Sequence, residues 1–81
     1  MLTIYGSMLC KDCVQCRKDL DQAGVAYVFL DITEDLQHLK AFLTLREGNP
    51  LFTQAREDGQ IGIPCIVKAD GSLTLDWEEF L

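Results

Sequence analysis

Leu2-Thr3-Ile4-Tyr5-Gly6-Ser7-Met8-Leu9-Cys10-Lys11-Asp12-Cys13-Val14-Gln15-Cys16 is the stretch whose reading decides the fold. Leu2 to Tyr5 is short, mostly apolar and partly β-branched, and Gly6-Ser7 stops it, which predicts a strand. From Cys10 the period changes. Cys13, Cys16, Leu20 and Ala23 recur at i, i+3, i+7 and i+10, one apolar stripe of a helix, with Lys11, Arg17, Lys18 and Asp21 mostly off it. Gly24 follows as a C-terminal stop, because glycine enters the left-handed conformation without steric cost. Val25 to Leu30 is an uninterrupted apolar run and reads as a strand buried on both faces. A strand, a helix and a strand with short joints predict a parallel, right-handed unit.

Beyond this unit, Thr33 is expected to cap a second helix, with Glu34 and Asp35 in its first turn. Leu36, Leu39, Phe42, Leu43 and Arg46 give that helix its period, and Gly48-Asn49-Pro50 ends it. Leu51 to Glu57 suits another short helix, since proline is tolerated at a helix start. Gly59 and Gly62 mark a loop, and Ile63-Pro64-Cys65-Ile66-Val67 opens a third strand. Asp70-Gly71 signals a hairpin before Leu73-Thr74-Leu75. Asp76 to Leu81 begins a helix that it is too short to finish. The order β-α-β-α-(α)-β-β describes a single α/β domain over residues 1–81, a four-stranded mixed sheet with helices on both faces and a truncated C-terminal helix.

Size and charge narrow the function. A chain of 9.1 kDa folds to roughly 4,900 Å² of surface from roughly 13,000 Å², enough for one modest core without zinc or disulfides. Apolar residues at 48% and charged residues at 25% exclude a disordered or collagen-like chain. The net charge of −6 arises wholly after Leu30, where four basic residues face ten acidic ones. An acidic chain gains nothing from counterion release on a phosphate backbone, so nucleic acid is excluded as a partner, and an anionic membrane with it. No stretch approaches the ~20 apolar residues of a membrane span. The N-terminus has no signal-peptide pattern. A monomer in the cytoplasm is expected. There thiols stay reduced, and a cysteine cluster is catalytic or metal-binding rather than a disulfide scaffold.

Four cysteines carry the chemistry. Cys10-Lys-Asp-Cys13 falls at a strand-to-helix junction, with Cys10 at or near the N-cap and Cys13 one turn inside. Unpaired N–H groups and the positive helix end stabilise a thiolate there, which is the reactive species. Cys10 is therefore the expected nucleophile and buried Cys13 the resolving thiol. Cys16 lies on the buried stripe and reads as core packing, with a second resolving thiol or a metal ligand as the alternatives. Cys65 follows Pro64 and reads either as strand packing or as a thiol near Cys10. Lys11 is the flanking charge that could favour the thiolate, opposed by Asp12. His38 reads as a surface residue, Asp76, Glu78 and Glu79 as a solvated face or helix start, and Trp77 as a cap on the core edge. Cys10, Cys13, Cys16 and Cys65 could instead form a thiolate set for zinc or an iron–sulfur cluster. Cys10 and Cys16 then lie about 600° apart around a helix, roughly 120° in projection, so closure would require the first turn to unwind or Cys10 to leave the helix. A non-catalytic adaptor is a third class.

Ile4-Tyr-Gly-Ser-Met-Leu-Cys10-Lys-Asp-Cys13, Gly24-Val-Ala-Tyr27, Asp31-Ile32 and Gly62-Ile63-Pro64 together resemble glutaredoxins of the thioredoxin-like superfamily. The likeness is nearest to short bacterial proteins with a CxDCxxC cluster and covers almost the whole chain. It implies a glutaredoxin-type fold and dithiol–disulfide exchange without a bound cofactor, with Cys10 as nucleophile and Cys13 as resolving thiol. It also implies a cis-proline loop in which Ile63 and Pro64 shape a substrate groove, to which Lys11 is assigned as well. The substrates would be protein or low-molecular-weight disulfides. Ser7 stands where the family carries a glutathione-binding lysine, and Leu75-Asp76-Trp77-Glu78 where it grips the γ-glutamyl end. Lys11 replaces the usual proline, and the Leu51–Glu57 segment lengthens the middle. Glutathione or a thioredoxin-reductase-type enzyme could therefore be the reductant.

Overall fold

Ile4 and Tyr5, neighbours on the first strand, point to opposite faces of one sheet, and each belongs to a different core. The computed structural model describes residues 1–81. Strand β1 (Leu2–Gly6) leads into helix α1 (Lys11–Gln22), strand β2 (Tyr27–Asp31) and helix α2 (Leu36–Arg46). A 3-10 turn, Pro50–Phe52, runs into helix α3 (Thr53–Glu57). Strands β3 (Cys65–Val67) and β4 (Leu73–Thr74) form the hairpin, and a closing 3-10 turn spans Trp77–Phe80. The sheet order is β2-β1-β3-β4. β1 and β2 are parallel, from Leu2↔Tyr27 to Gly6↔Asp31. β3 runs antiparallel to β1, pairing Ile4 with Ile66 and Tyr5 with Cys65, and β4 antiparallel to β3.

That register sorts the core into two halves. On one face Ile4 and Ile66 pack against Cys16 and Leu20 of α1, with Phe29, Trp77 and Phe80 at the margin. On the other, Cys65 packs with Ile32, Phe42 of α2 and Phe52 of the 3-10 turn, beside Tyr5 and Ile63. The Phe42 and Phe52 rings meet edge-to-face at 5.9 Å, a favoured aromatic geometry. Helices thus cover both faces of a four-stranded mixed sheet. The radius of gyration, 11.9 Å, matches the roughly 11.7 Å of a compact chain of this length. No helix is long and apolar enough to cross a membrane.

Four expectations need correction. The second strand is not buried on both faces: β2 is the sheet edge, and Val28 is 43% exposed. Ala23 leaves the α1 stripe as the exposed C-cap. Asp35, not Thr33, caps α2, its carboxylate accepting the Gln37 N–H at 2.8 Å. Thr33 instead closes a turn on Asp31, donating its N–H at 2.8 Å. Of the α2 stripe only Phe42 is buried, in a cluster with Phe52, Cys65 and Ile32. Leu36 is 75% and Leu43 48% exposed.

The predicted stub at the end is a single 3-10 turn, capped by Asp76. Trp77 anchors it on α1, its indole N–H donating to Asp19 at 2.9 Å. Lys68 and Glu79 pair at 2.9 Å, so part of the acidic terminus is tied to the hairpin.

Candidate functional site

Cys10 is the N-cap of α1, with φ −100° and ψ 120°. Its N–H donates to the Ser7 carbonyl at 3.1 Å, and its own carbonyl accepts the Val14 N–H at 3.1 Å. No side chain caps this end of the helix. The first-turn amides are therefore left to whatever negative charge forms beside Cys10, and the helix dipole acts in the same direction.

Cys13 is fully buried, one turn into α1. Burial pushes its thiol up to about 12, and the neighbouring Cys10 side chain acts in the same sense. The Ser7 N–H acts oppositely, donating to Cys13 Sγ at 3.4 Å. Gly6 makes room for this sulfur: a Cβ there would stand 2.9 Å from Cys13 Sγ and 3.0 Å from the Phe29 ring. The Ser7 turn is itself anchored. The Ser7 hydroxyl accepts the Leu9 N–H at 3.1 Å and bonds the Thr33 hydroxyl at 2.9 Å, while Asp31 accepts the Met8 N–H at 3.3 Å. All four cysteines are free thiols.

Cys10 opens onto a cleft of about 310 Å³ lined by Asp12, Gln60, Ile61, Gly62 and Ile63. The Ile63–Pro64 bond is cis, and Pro64 is buried behind Ile63. Gly62 holds the loop at φ +93°, and a Cβ on it would lie 2.6 Å from the Phe52 ring, so both backbone angle and packing require glycine. Ile63 lines this cleft, and buried Pro64 follows it. Lys11 is exposed and outside the cleft lining, where Asp12 stands instead. One residue turns a helix by about 100°, so neighbours at its start face different ways. In the sequence, Asp12 reads only as a charge opposing Lys11, and Gln60 and Ile61 are not singled out. Their signal is adjacency to Gly62-Ile63-Pro64.

Cys16 and Cys65 stand apart from this pair. Cys16 belongs to the α1 core and Cys65 to the α2 core, so they lie on opposite faces of the sheet. Burial pushes each thiol up to about 11. Cys65 therefore packs its strand. The four thiols do not converge into one ligand set, and no three His, Cys, Asp or Glu side chains are grouped to hold a metal ion. His38 sits at the start of α2, its Nδ1 3.1 Å from the Asp31 carbonyl.

An uncharacterized protein of Haemophilus influenzae is 33% identical to this chain over 73 residues, covering 90% of this chain and 85% of the relative. The chain belongs to that protein's family. No family model matches the chain, and neither does any solved structure.

Proposed function

We propose that this protein is a cytoplasmic thiol–disulfide oxidoreductase with a thioredoxin-like fold of glutaredoxin type. The observation that carries the reading is the Cys10–Cys13 pair. One thiol stands at an uncapped helix start and opens onto a cleft, and the other, three residues on, is fully buried and accepts the Ser7 N–H. The Cys10 thiolate attacks one sulfur of a disulfide, a new S–S bond forms, and the second substrate sulfur leaves with the electron pair and takes up a proton. While Cys10 carries charge, Cys13 is held protonated by burial and by that charge. Once Cys10 is bound in the mixed disulfide the charge is gone, and the Ser7 N–H remains to stabilise a Cys13 thiolate. Cys13 loses its proton and attacks Cys10 Sγ, the Cys13–Cys10 bond forms, and the substrate sulfur that had been bonded to Cys10 leaves as a thiolate. One disulfide becomes two thiols, and Cys10 and Cys13 become a disulfide. A low-molecular-weight thiol such as glutathione, or a reductase of thioredoxin-reductase type, returns the pair to dithiol.

Single-turnover reduction of a disulfide followed by mass spectrometry tests this. Cys10→Ser is expected to abolish turnover, and Cys13→Ser to accumulate a mixed disulfide on Cys10. Full activity of Cys10→Ser would falsify the assignment.

A further inference from the structure

Gln60 and Ile61 line two cavities. One is the Cys10 cleft, and the other is a groove of about 550 Å³ along α2. Apolar side chains dominate the second: Ile32, Leu36, Leu39, Phe42, Leu43 and Ile61. We infer, resting on the oxidoreductase reading, that this groove selects the substrate, accepting an apolar, non-acidic polypeptide segment next to the reacting cysteine of a protein disulfide.

Continuity through Gln60 and Ile61 is the first argument. A chain joined to Cys10 through its sulfur lies in the cleft, and its neighbouring residues reach the groove across Gln60 and Ile61, which line both. Charge is the second. The carboxylate in the cleft lining is Asp12, and the groove's one cation, Arg46, is turned to the loop backbone. Its Nε donates to the Ile61 carbonyl at 2.9 Å and a terminal nitrogen to the Gln60 carbonyl at 3.1 Å. Arg46 thereby shapes the wall shared by both cavities. An anionic tripeptide such as glutathione would bring its carboxylates to an acidic cleft and an apolar wall. Exposed Leu36 and Leu43 have the opposite preference, since covering them removes apolar surface from water.

The test uses chromogenic mixed disulfides of thionitrobenzoate with three thiols: a cysteine peptide flanked by leucine and phenylalanine, the same peptide flanked by glutamate, and glutathione. In each, Cys10 Sγ bonds to the thiol's sulfur, the bond to thionitrobenzoate breaks, and the low-pKa aryl thiolate leaves with the electron pair. With no reductant added, so that each molecule reacts once, the apolar peptide is expected to exceed both others in the second-order rate constant of thionitrobenzoate release by about tenfold or more, the selectivity that a few apolar contacts supply. Combined Leu36→Ser and Leu43→Ser should bring that ratio close to one, mainly by raising the probe concentration at which the rate is half-saturated. Equal Cys10-dependent rates for all three probes would overturn the inference and leave the oxidoreductase reading standing. Absence of Cys10-dependent turnover with every probe would overturn both. A concentration-dependent dimer lost in the same double variant would assign the groove to a second copy of the chain, and overturn the inference as well.

Discussion

The two faces of the sheet are built from the same strands and finished differently. On the α1 face, Cys13, Cys16 and Leu20 are fully buried, and the closing turn with Trp77 and Phe80 completes the margin. On the α2 face, Phe42, Phe52 and Cys65 are as deeply buried, yet Leu36, Leu43 and Ile61 stay open to solvent. A closed face can hold a thiol protonated and out of reach, and an open one can offer apolar surface to a partner. Cys10 stands where they meet, at the start of α1 and against the loop that borders α2. The pair of thiols draws its asymmetry from that boundary: one member lies inside the closed face, and the other looks toward the open one.

Alkali should break the closed interior most severely. An ordinary thiol ionises near 9.0, whereas buried Cys16 and Cys65 hold their protons to about 11 and Cys13 to about 12. Between these values the unfolded state binds fewer protons than the folded state, so stability is fully present below pH 9 and falls as pH rises. Each thiol contributes about 1.4 kcal/mol per pH unit and the three together about 4 kcal/mol per pH unit, so that two units remove an amount comparable with the total of about 5–15 kcal/mol for a typical domain. Urea unfolding under reducing conditions at pH 8 to 11 should show this slope. Cys16→Ala and Cys65→Ala should each remove about a third of it, one from each face. A slope unchanged by either substitution would mean that water reaches these thiols.

A smaller effect separates the two sides of α2 itself. Phe42→Ala removes a fully buried ring that meets Phe52 and Tyr5, and should cost about 3–5 kcal/mol. Leu43→Ala, one residue on and half exposed, should stay within about 0.5 kcal/mol. Denaturant midpoints at pH 7 would measure both. Comparable losses would show that Leu43 belongs to the core and that the groove is closed in solution.

These differences mark what could be read from the amino-acid order. The β-α-β unit and the α1 stripe were legible because Cys13, Cys16 and Leu20 keep the helical period while facing a single surface. So was the placement of Cys10 at the helix start, since the spacing from Gly6-Ser7 allows little else. Val28 was misjudged because an apolar run does not say whether its strand ends up at an edge, which strand order decides. Leu36 and Leu43 have a core residue's spacing but stay exposed, while Phe52, from a later segment, joins Phe42 in the core. Cys65 was ambiguous for a related reason. The face it takes depends on its pairing with Tyr5 rather than Ile4, and a register shift of one residue would have reversed it. Lys11 is the expected groove residue and Asp12 lines the cleft instead, because a rotation of one helical step is finer than a sequence pattern resolves.

A loss of stability smaller than that of Phe42→Ala is predicted at the boundary itself. In Gly6→Ala the added carbon would press on Cys13 Sγ and on the Phe29 ring. Overpacking of this kind costs about 1–3 kcal/mol, less than losing Phe42. Its consequence for the proposed exchange should be larger than its cost in stability suggests, because in that reaction Cys13 has to reach Cys10 Sγ in line with the bond it breaks. Attack by Cys10 does not use that sulfur and should proceed. Single-turnover traces of Gly6→Ala should therefore keep a fast first phase and show a slowed second one, with mixed disulfide accumulating as in Cys13→Ser but clearing with time. If both phases slow together, the substitution has disturbed the Ser7 turn that carries Cys10. If neither slows while stability falls, the contact between Gly6 and Cys13 serves packing alone, and the closed face is separate from the chemistry at its edge.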